Sequence, residues 1–236
     1  MAERVVIKER VEVDPDQPLP DFDLPYAKAY RAVARREEHG DLVAYVCDAR
    51  VPFRHEDVEP VRGLTTNAMM KFVEWGVAAW APARRRLPIL VYERPPGGRV
   101  AKSIADVIEP ISDERIVRGF ITPAIGILRD LSTRGIPHRA IRPDNLYYAD
   151  TAHKQVILGD LLTSPPGLNN PSFCETLEQA MAEPSARGRG GIADDLYSLG
   201  VCIVYLLIGR NPVHEMDSAE IIERKIAQGS YGTLTA

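Results

Sequence analysis

Polar groups able to orient phosphate or hold a cation crowd residues 135–148. His138, Arg139, Asp144 and Asn145 lie there, after an amphipathic run and before a short apolar run, Val156–Leu158, that ends in Gly159 and Asp160. The layout reads as a polar loop between a helix and a strand pair. The amide oxygen of Asn145 and the carboxylate of Asp160 are hard ligands of the kind that hold magnesium. An aspartate at a strand end also serves as a plain turn residue, and both readings stand. Ala140 sits in the middle of this stretch. A methyl group neither accepts nor orients a proton, so no base is offered at that position.

The order His138, Arg139, Asn145 resembles the catalytic loop of eukaryotic-type Ser/Thr protein kinases. That loop, H-R-D-L-x-x-x-N, carries a base aspartate and a metal-binding asparagine. The resemblance places the base at Ala140. Asp160, Leu161 and Leu162 stand where the family has Asp-Phe-Gly, so Asp160 keeps the metal carboxylate while Leu162 replaces the glycine. Residues 195–201, Asp-Leu-Tyr-Ser-Leu-Gly-Val, resemble the D-x-[WY]-S-x-G-V of the central buried helix of the large lobe. For Asp195 this implies a structural role, accepting hydrogen bonds from the catalytic-loop backbone.

The elements that would position these groups follow. Residues 4–13 read as an edge strand and 14–25 as extended or loop-like, with four prolines. Residues 29–33 and 42–47 read as a hairpin with turn chemistry at 38–41. It resembles the second and third strands of a kinase small lobe and places the phosphate-binding lysine position on Val46. The glycine-rich loop positions fall on Phe22, Leu24 and Ala27. Ala44, Val46, Tyr92, Glu93 and Asp160 are the implied nucleotide-cleft residues. A small-lobe helix is expected within 56–70, with helix formers continuing over 67–73. Glu56 and Glu59 there have no lysine to pair with. Residues 87–93 read as a buried strand leading into an Arg94-Pro95-Pro96-Gly97-Gly98 hinge.

In the second half, Ser112 is placed to cap a long helix. Val117, Phe120, Ile121, Ala124, Ile125, Leu128 and Leu131 form its apolar stripe, and Arg134-Gly135 ends it. Residues 163–181 correspond to the activation segment, with Thr163, Ser164, Ser172 and Thr176 as candidate phosphate acceptors near Arg139. Ala182-Glu183-Pro184 scrambles the family's Ala-Pro-Glu. A helix apolar on nearly every face spans 194–208, and another starts at Asp217 and runs to about 227. Thereafter the large lobe looks truncated, as in a fragment of a longer protein.

Composition bounds the class. The chain has 236 residues, 45% hydrophobic and 26% charged, ordinary for a globular protein with a sizeable core. A net charge of −4 argues against nucleic acid as partner. Arg84-Arg85-Arg86 is a local basic run, read as a solvated turn. Three dispersed cysteines point to a reducing compartment, and no stretch is apolar for long enough to span a bilayer; a cytoplasmic location is expected. The expected fold is an α+β, two-lobed, kinase-like one: a β-rich small lobe with an N-terminal extension over 1–94 and an incomplete helical lobe over 95–236. The expected function is that of a pseudokinase, a regulatory or scaffolding module with a protein partner or attached domain. The alternative is a weak or atypical ATP-dependent kinase using Asp144 as substitute base. Mg-ATP is the cofactor implied, bound weakly if at all.

Overall fold

Short β-branched and aromatic runs punctuated by turn residues fold first into a sheet. The computed structural model describes residues 3–36 and 40–235; the turn expected at 38–41 lies partly outside them. Strands β1 (Val5–Ile7), β2 (Val11–Pro18), β3 (Ala27–Ala34), β4 (Leu42–Cys47), β5 (Phe72–Trp80) and β6 (Arg85–Glu93) form one antiparallel sheet. Their order is β1-β2-β3-β4-β6-β5. The single edge strand expected over 4–13 is two strands. Lys8 and Glu9, with φ of 45° and 60°, reverse the chain between them. β5 was not anticipated.

Between β4 and β5 the helix is shorter than expected. α1 covers only Val58–Arg62, with Gly63 as its C-cap. Residues 67–70 have good helical propensity, but they are drawn out as a strand-like tie. The Met70 N–H donates to the Leu158 carbonyl (2.8 Å), and the Leu158 N–H to the Ala68 carbonyl (2.9 Å). Tertiary pairing overrides propensity here.

The long helix of the second half has three sections: α2 (Asp113–Ile116), a π turn (Val117–Ile121) and α3 (Thr122–Thr133). Pro123 has no N–H to give the Gly119 carbonyl, and the widened turn absorbs that break. Gly119 also lies against the Lys154 carbonyl, where a Cβ would come within 2.4 Å. The turn shifts the phase of the apolar stripe. Phe120, Ala124, Leu128 and Leu131 are buried as expected, but Val117 and Ile125 are half exposed and Ile127 takes an inward place. Ser112 makes no side-chain cap bond; the Asp113 carboxylate accepts the Glu114 N–H instead (2.8 Å).

Strands β7 (Leu146–Tyr148) and β8 (Val156–Leu158) pair as a small hairpin. Helices α4 (Leu177–Met181), α5 (Ile192–Ile208) and α6 (Ser218–Leu234) follow. Asp217 caps α6, and Gly229 breaks its regularity. α5 is buried along one side, through Leu199, Cys202, Tyr205 and Leu206, but it is not buried all round: Leu196, Leu207 and Ile208 are exposed. One continuous apolar core joins Val43, Tyr45 and Leu90 of the sheet to Phe120, Leu146 and Leu206 of the helical part. The chain is thus an α+β protein with a β-rich and a helical lobe. Among the described residues, no helix is long and apolar enough to cross a membrane.

Candidate functional site

The loop between α3 and β7 is held from beneath by Asp195, on the first turns of α5. Its carboxylate is 1% exposed. It accepts the backbone N–H of His138 and that of Arg139, each at 2.7 Å. Arg139 has φ of 52°, a bend that these two bonds stabilise. Burial pushes the Asp195 carboxyl up to about 6, against the opposing pull of the two donors. His138 is fully buried, and burial beside the Arg54 cation drives its imidazole down to about 3, so the ring is neutral. Its Nδ1 accepts the Ala140 N–H at 3.3 Å.

A second support, unmarked by any local sequence pattern, comes from the small lobe. Arg54, 5% exposed, pairs with Asp57 at 2.7 Å. Its guanidinium also donates to the carbonyls of Pro137, His138 and Leu161. Arg189 reaches the other Asp57 oxygen at 2.6 Å. A charged residue after Pro52-Phe53 reads as exposed in sequence; only the folded chain surrounds it with acceptors. Glu56 and Glu59 remain at the surface, as solvated charges do.

Asn145 and Asp160 are brought together, as the sequence indicated. The Asn145 amide donates to the carbonyls of Ala140 and Asp160, both at 2.8 Å. Its Oδ1 is buried without a partner, pressed against Gly159, where a Cβ would meet it at 2.1 Å. Asp160 is 4% exposed. One carboxylate oxygen accepts the Tyr92 hydroxyl and the Leu162 N–H; the other accepts the Thr163 N–H (3.0 Å) and hydroxyl (2.5 Å). Four donors fill the roughly four lone-pair sites of a carboxylate. The aspartate is a turn residue directed inward, and the residues present do not fit a magnesium ion. Asp144 is bound to Arg142 at 2.8 Å in the turn that precedes β7.

The face of β4 differs from the sequence expectation. Ala44 and Val46 pack with Val13, Trp80 and Ile89 on the far side of the sheet. Tyr45 and Cys47 point toward Asp160 and the helical lobe. Every residue of Leu42–Cys47 is buried, so no alternation in the sequence marked the inner face. The cleft-facing position assigned to Val46 belongs to Cys47, and that of Ala44 to Tyr45. Neither residue is a cation.

Aromatic side chains fill the space between the lobes. Phe22 stacks on Tyr147, with centroids 5.7 Å apart and planes 14° from parallel. The Tyr147 hydroxyl lies 3.4 Å from that of Tyr45 and accepts from Arg99 at 3.0 Å. Tyr92 packs edge-on against both Tyr45 and Phe72. All five rings are at most 8% exposed. The hinge offers little in compensation. The Glu93 N–H is taken by the Lys71 carbonyl and that of Arg94 by the Asp41 carbonyl, while Pro95 and Pro96 have none. The Glu93 side chain is on the surface, paired with Lys71 at 2.7 Å.

The segment after Asp160 is packed down. Thr163, Ser164 and Ser172 are buried, and the Thr176 hydroxyl is bound to Asp194 at 3.0 Å. Arg139 pairs with Glu175 at 2.7 Å, both side chains 0% exposed. Glu175 was absent from the sequence expectation because a single acid at a helix entrance carries no marker of burial. Lys225, on α6, donates to the carbonyls of Ser172 and Glu175; burial brings its ammonium down to about 8.

Comparison with known proteins agrees with this architecture. The crystal structure of Rad53 1-466 in complex with AMP-PNP superposes on 95% of this chain and 56% of its own, with a TM-score of 0.67 at 14% identity. The fold is therefore that of a two-lobed protein kinase. Over part of the chain, sequence similarity points the same way. Serine/threonine-protein kinase PknA of Nostoc sp. is 30% identical over 140 residues, 53% of this chain and 24% of that protein. Serine/threonine-protein kinase C of Synechocystis sp. is 31% identical over 129 residues, 50% and 24% respectively. CBL-interacting serine/threonine-protein kinase 20 of Arabidopsis thaliana is 30% identical over 132 residues, 50% and 28%. The match thus spans about a quarter of the length of these curated relatives. No protein-family model matches. The chain thus has a protein-kinase-like fold and, over about half of its length, is similar in sequence to Ser/Thr protein kinases.

Proposed function

We propose that this chain is a pseudokinase, a kinase-shaped binding module that does not transfer phosphate. The observation that carries the reading is the state of Asp160: its carboxylate is satisfied by Tyr92, Leu162 and Thr163 and is closed off from the cleft. Ala140 stands where a base would act, and the lysine position of β4 is Cys47. Each such loss removes an interaction that holds a transferring phosphoryl group, and each can cost orders of magnitude in rate. Asp144 is a poor substitute base because Arg142 already holds it. What remains is a rigid frame whose loops are set by Asp195, Arg54 and Glu175. Such a frame acts by presenting a surface to a protein partner or an attached domain.

The test is transfer of labelled phosphate from Mg-ATP to the chain itself and to a generic protein substrate, with Asp160→Ala as control. The proposal expects the same background from both proteins. Transfer by the wild type that the control abolishes would establish the weak-kinase alternative.

A further inference from the structure

The sheet of the small lobe is nearly closed on itself, and its seam, clasped at one end by the ion pairs of Glu74 with Lys8 and Arg10, is open at the other. β1 is hydrogen-bonded only to β2, and β5 only to β6. These two edges nonetheless face each other: a Cβ on Gly76 of β5 would come within 3.1 Å of the Ile7 side chain of β1. Among the described residues, no backbone hydrogen bond joins the two strands. Two facing, unpaired strand edges are a template for another strand.

Beyond the Ile7–Gly76 approach the seam widens into a cavity of about 560 Å³. Val5 and Val6 line one side and Ala78, Ala79 and Trp80 the other. At its mouth stand Arg4, Arg84, Arg85 and Arg86, with Glu3 as the single acid in the lining. Arg4 is partly neutralised by Glu12 and Asp14, and Arg86 donates to the Val77 carbonyl at 2.8 Å. Arg84 and Arg85 are exposed, and Arg85 also feels the Asp48 carboxylate at longer range. Val6 and Val77 are exposed apolar residues at the same seam, at 38% and 45%.

We infer that this seam binds an extended acidic segment of a partner protein, which adds a strand to the β1 or β5 edge and sets its carboxylates against Arg84, Arg85 and Arg86. Two features select this occupant. The unpaired N–H and C=O groups of a strand edge match a polypeptide backbone, which phosphates or lipid headgroups do not reproduce. The cationic rim favours acids, while the net charge of −4 over the whole chain disfavours nucleic acid. The inference gives the proposed binding module a specific surface. It is independent of the cleft, so it stands or falls separately from the absence of phosphate transfer.

The experiment uses the full chain and a fluorescein-labelled octapeptide of alternating glutamate and valine, read by anisotropy. A lysine–valine octapeptide and a single-stranded oligonucleotide serve as competitors. Saturable binding of the acidic peptide is expected, weakened at least about tenfold in the Arg84→Glu, Arg85→Glu, Arg86→Glu variant, which is roughly 1.4 kcal/mol. An Arg84→Ala, Arg85→Ala variant, with less change at the surface, is expected to show an intermediate loss at an unchanged unfolding midpoint. Hydrogen exchange should slow over 5–7 or 77–80 on addition of the peptide. Equal binding of the lysine peptide, stronger binding of the oligonucleotide, no saturable binding, or protection confined to other strands would each overturn the inference.

Discussion

The Tyr92 hydroxyl, at the end of the central sheet, donates to the Asp160 carboxylate, 68 residues further along the chain. That contact joins the two lobes at the point where a kinase would admit nucleotide phosphates. With the Phe22–Tyr147 stack it packs side chains between the lobes. Both features follow from residue types that fill space and satisfy polar atoms internally.

Asp195→Ala should destabilise the helical lobe by roughly 1–3 kcal/mol. The substitution orphans two buried backbone donors, those of His138 and Arg139. Chemical denaturation of both proteins at neutral pH measures it. An unchanged midpoint would mean that α5 does not hold the loop.

Asp195 was legible through the resemblance of residues 195–201 to the family's D-x-[WY]-S-x-G-V, which implied that its carboxylate accepts loop-backbone donors. The large-lobe helices were legible because helical periodicity is local, although the expected Ser112 cap bond is not made. The face of β4 was not, since an all-apolar strand has no period. β5 was not either, because Glu74 and Gly76 interrupt its pattern, and Glu74 is buried by pairing with Lys8 and Arg62 from other elements. Arg54 and Glu175 were silent for a related reason. The partners that bury them lie dozens of residues away, and the phase shift at the π turn depends on the packing of Gly119 against residue 154.

Acid should weaken the fold through His138. Its unfolded value is 6.5 and its folded value about 3. Below about pH 6.5 the unfolded chain takes a proton that the folded chain refuses, so stability present above that pH is lost as pH falls toward 3. From about pH 7.5 to 5.5 the loss from this group is about 1.4 kcal/mol. Asp195 acts in the opposite direction. Its raised folded value, about 6, makes its ionised form a cost above that pH, relieved as pH falls toward 4. Histidine titration begins first, near 6.5, and Asp195 offsets more than half of that loss by about pH 5.5, so the net acid loss should be shallow. Thermal unfolding across this range should show the acid loss in the wild type and not in His138→Gln, where the Asp195 contribution alone remains and the slope reverses. Parallel profiles would contradict a neutral buried imidazole.

Restoring the base alone should not restore catalysis. Ala140→Asp returns a carboxylate to the loop, but phosphate still has no lysine and no open path to Asp160. Labelled-phosphate transfer by this variant should equal that of Asp160→Ala. Robust turnover would show that the missing base was the only obstacle.

The most direct measurement is calorimetric titration of the chain with ATP, with and without magnesium. The packed cleft, the filled lone pairs of Asp160 and the occupied or missing hinge donors predict no saturable binding tighter than about 1 mM in either condition. Low-micromolar affinity would contradict the account, because it would require Phe22, Tyr147 and Tyr92 to leave the positions that define this site.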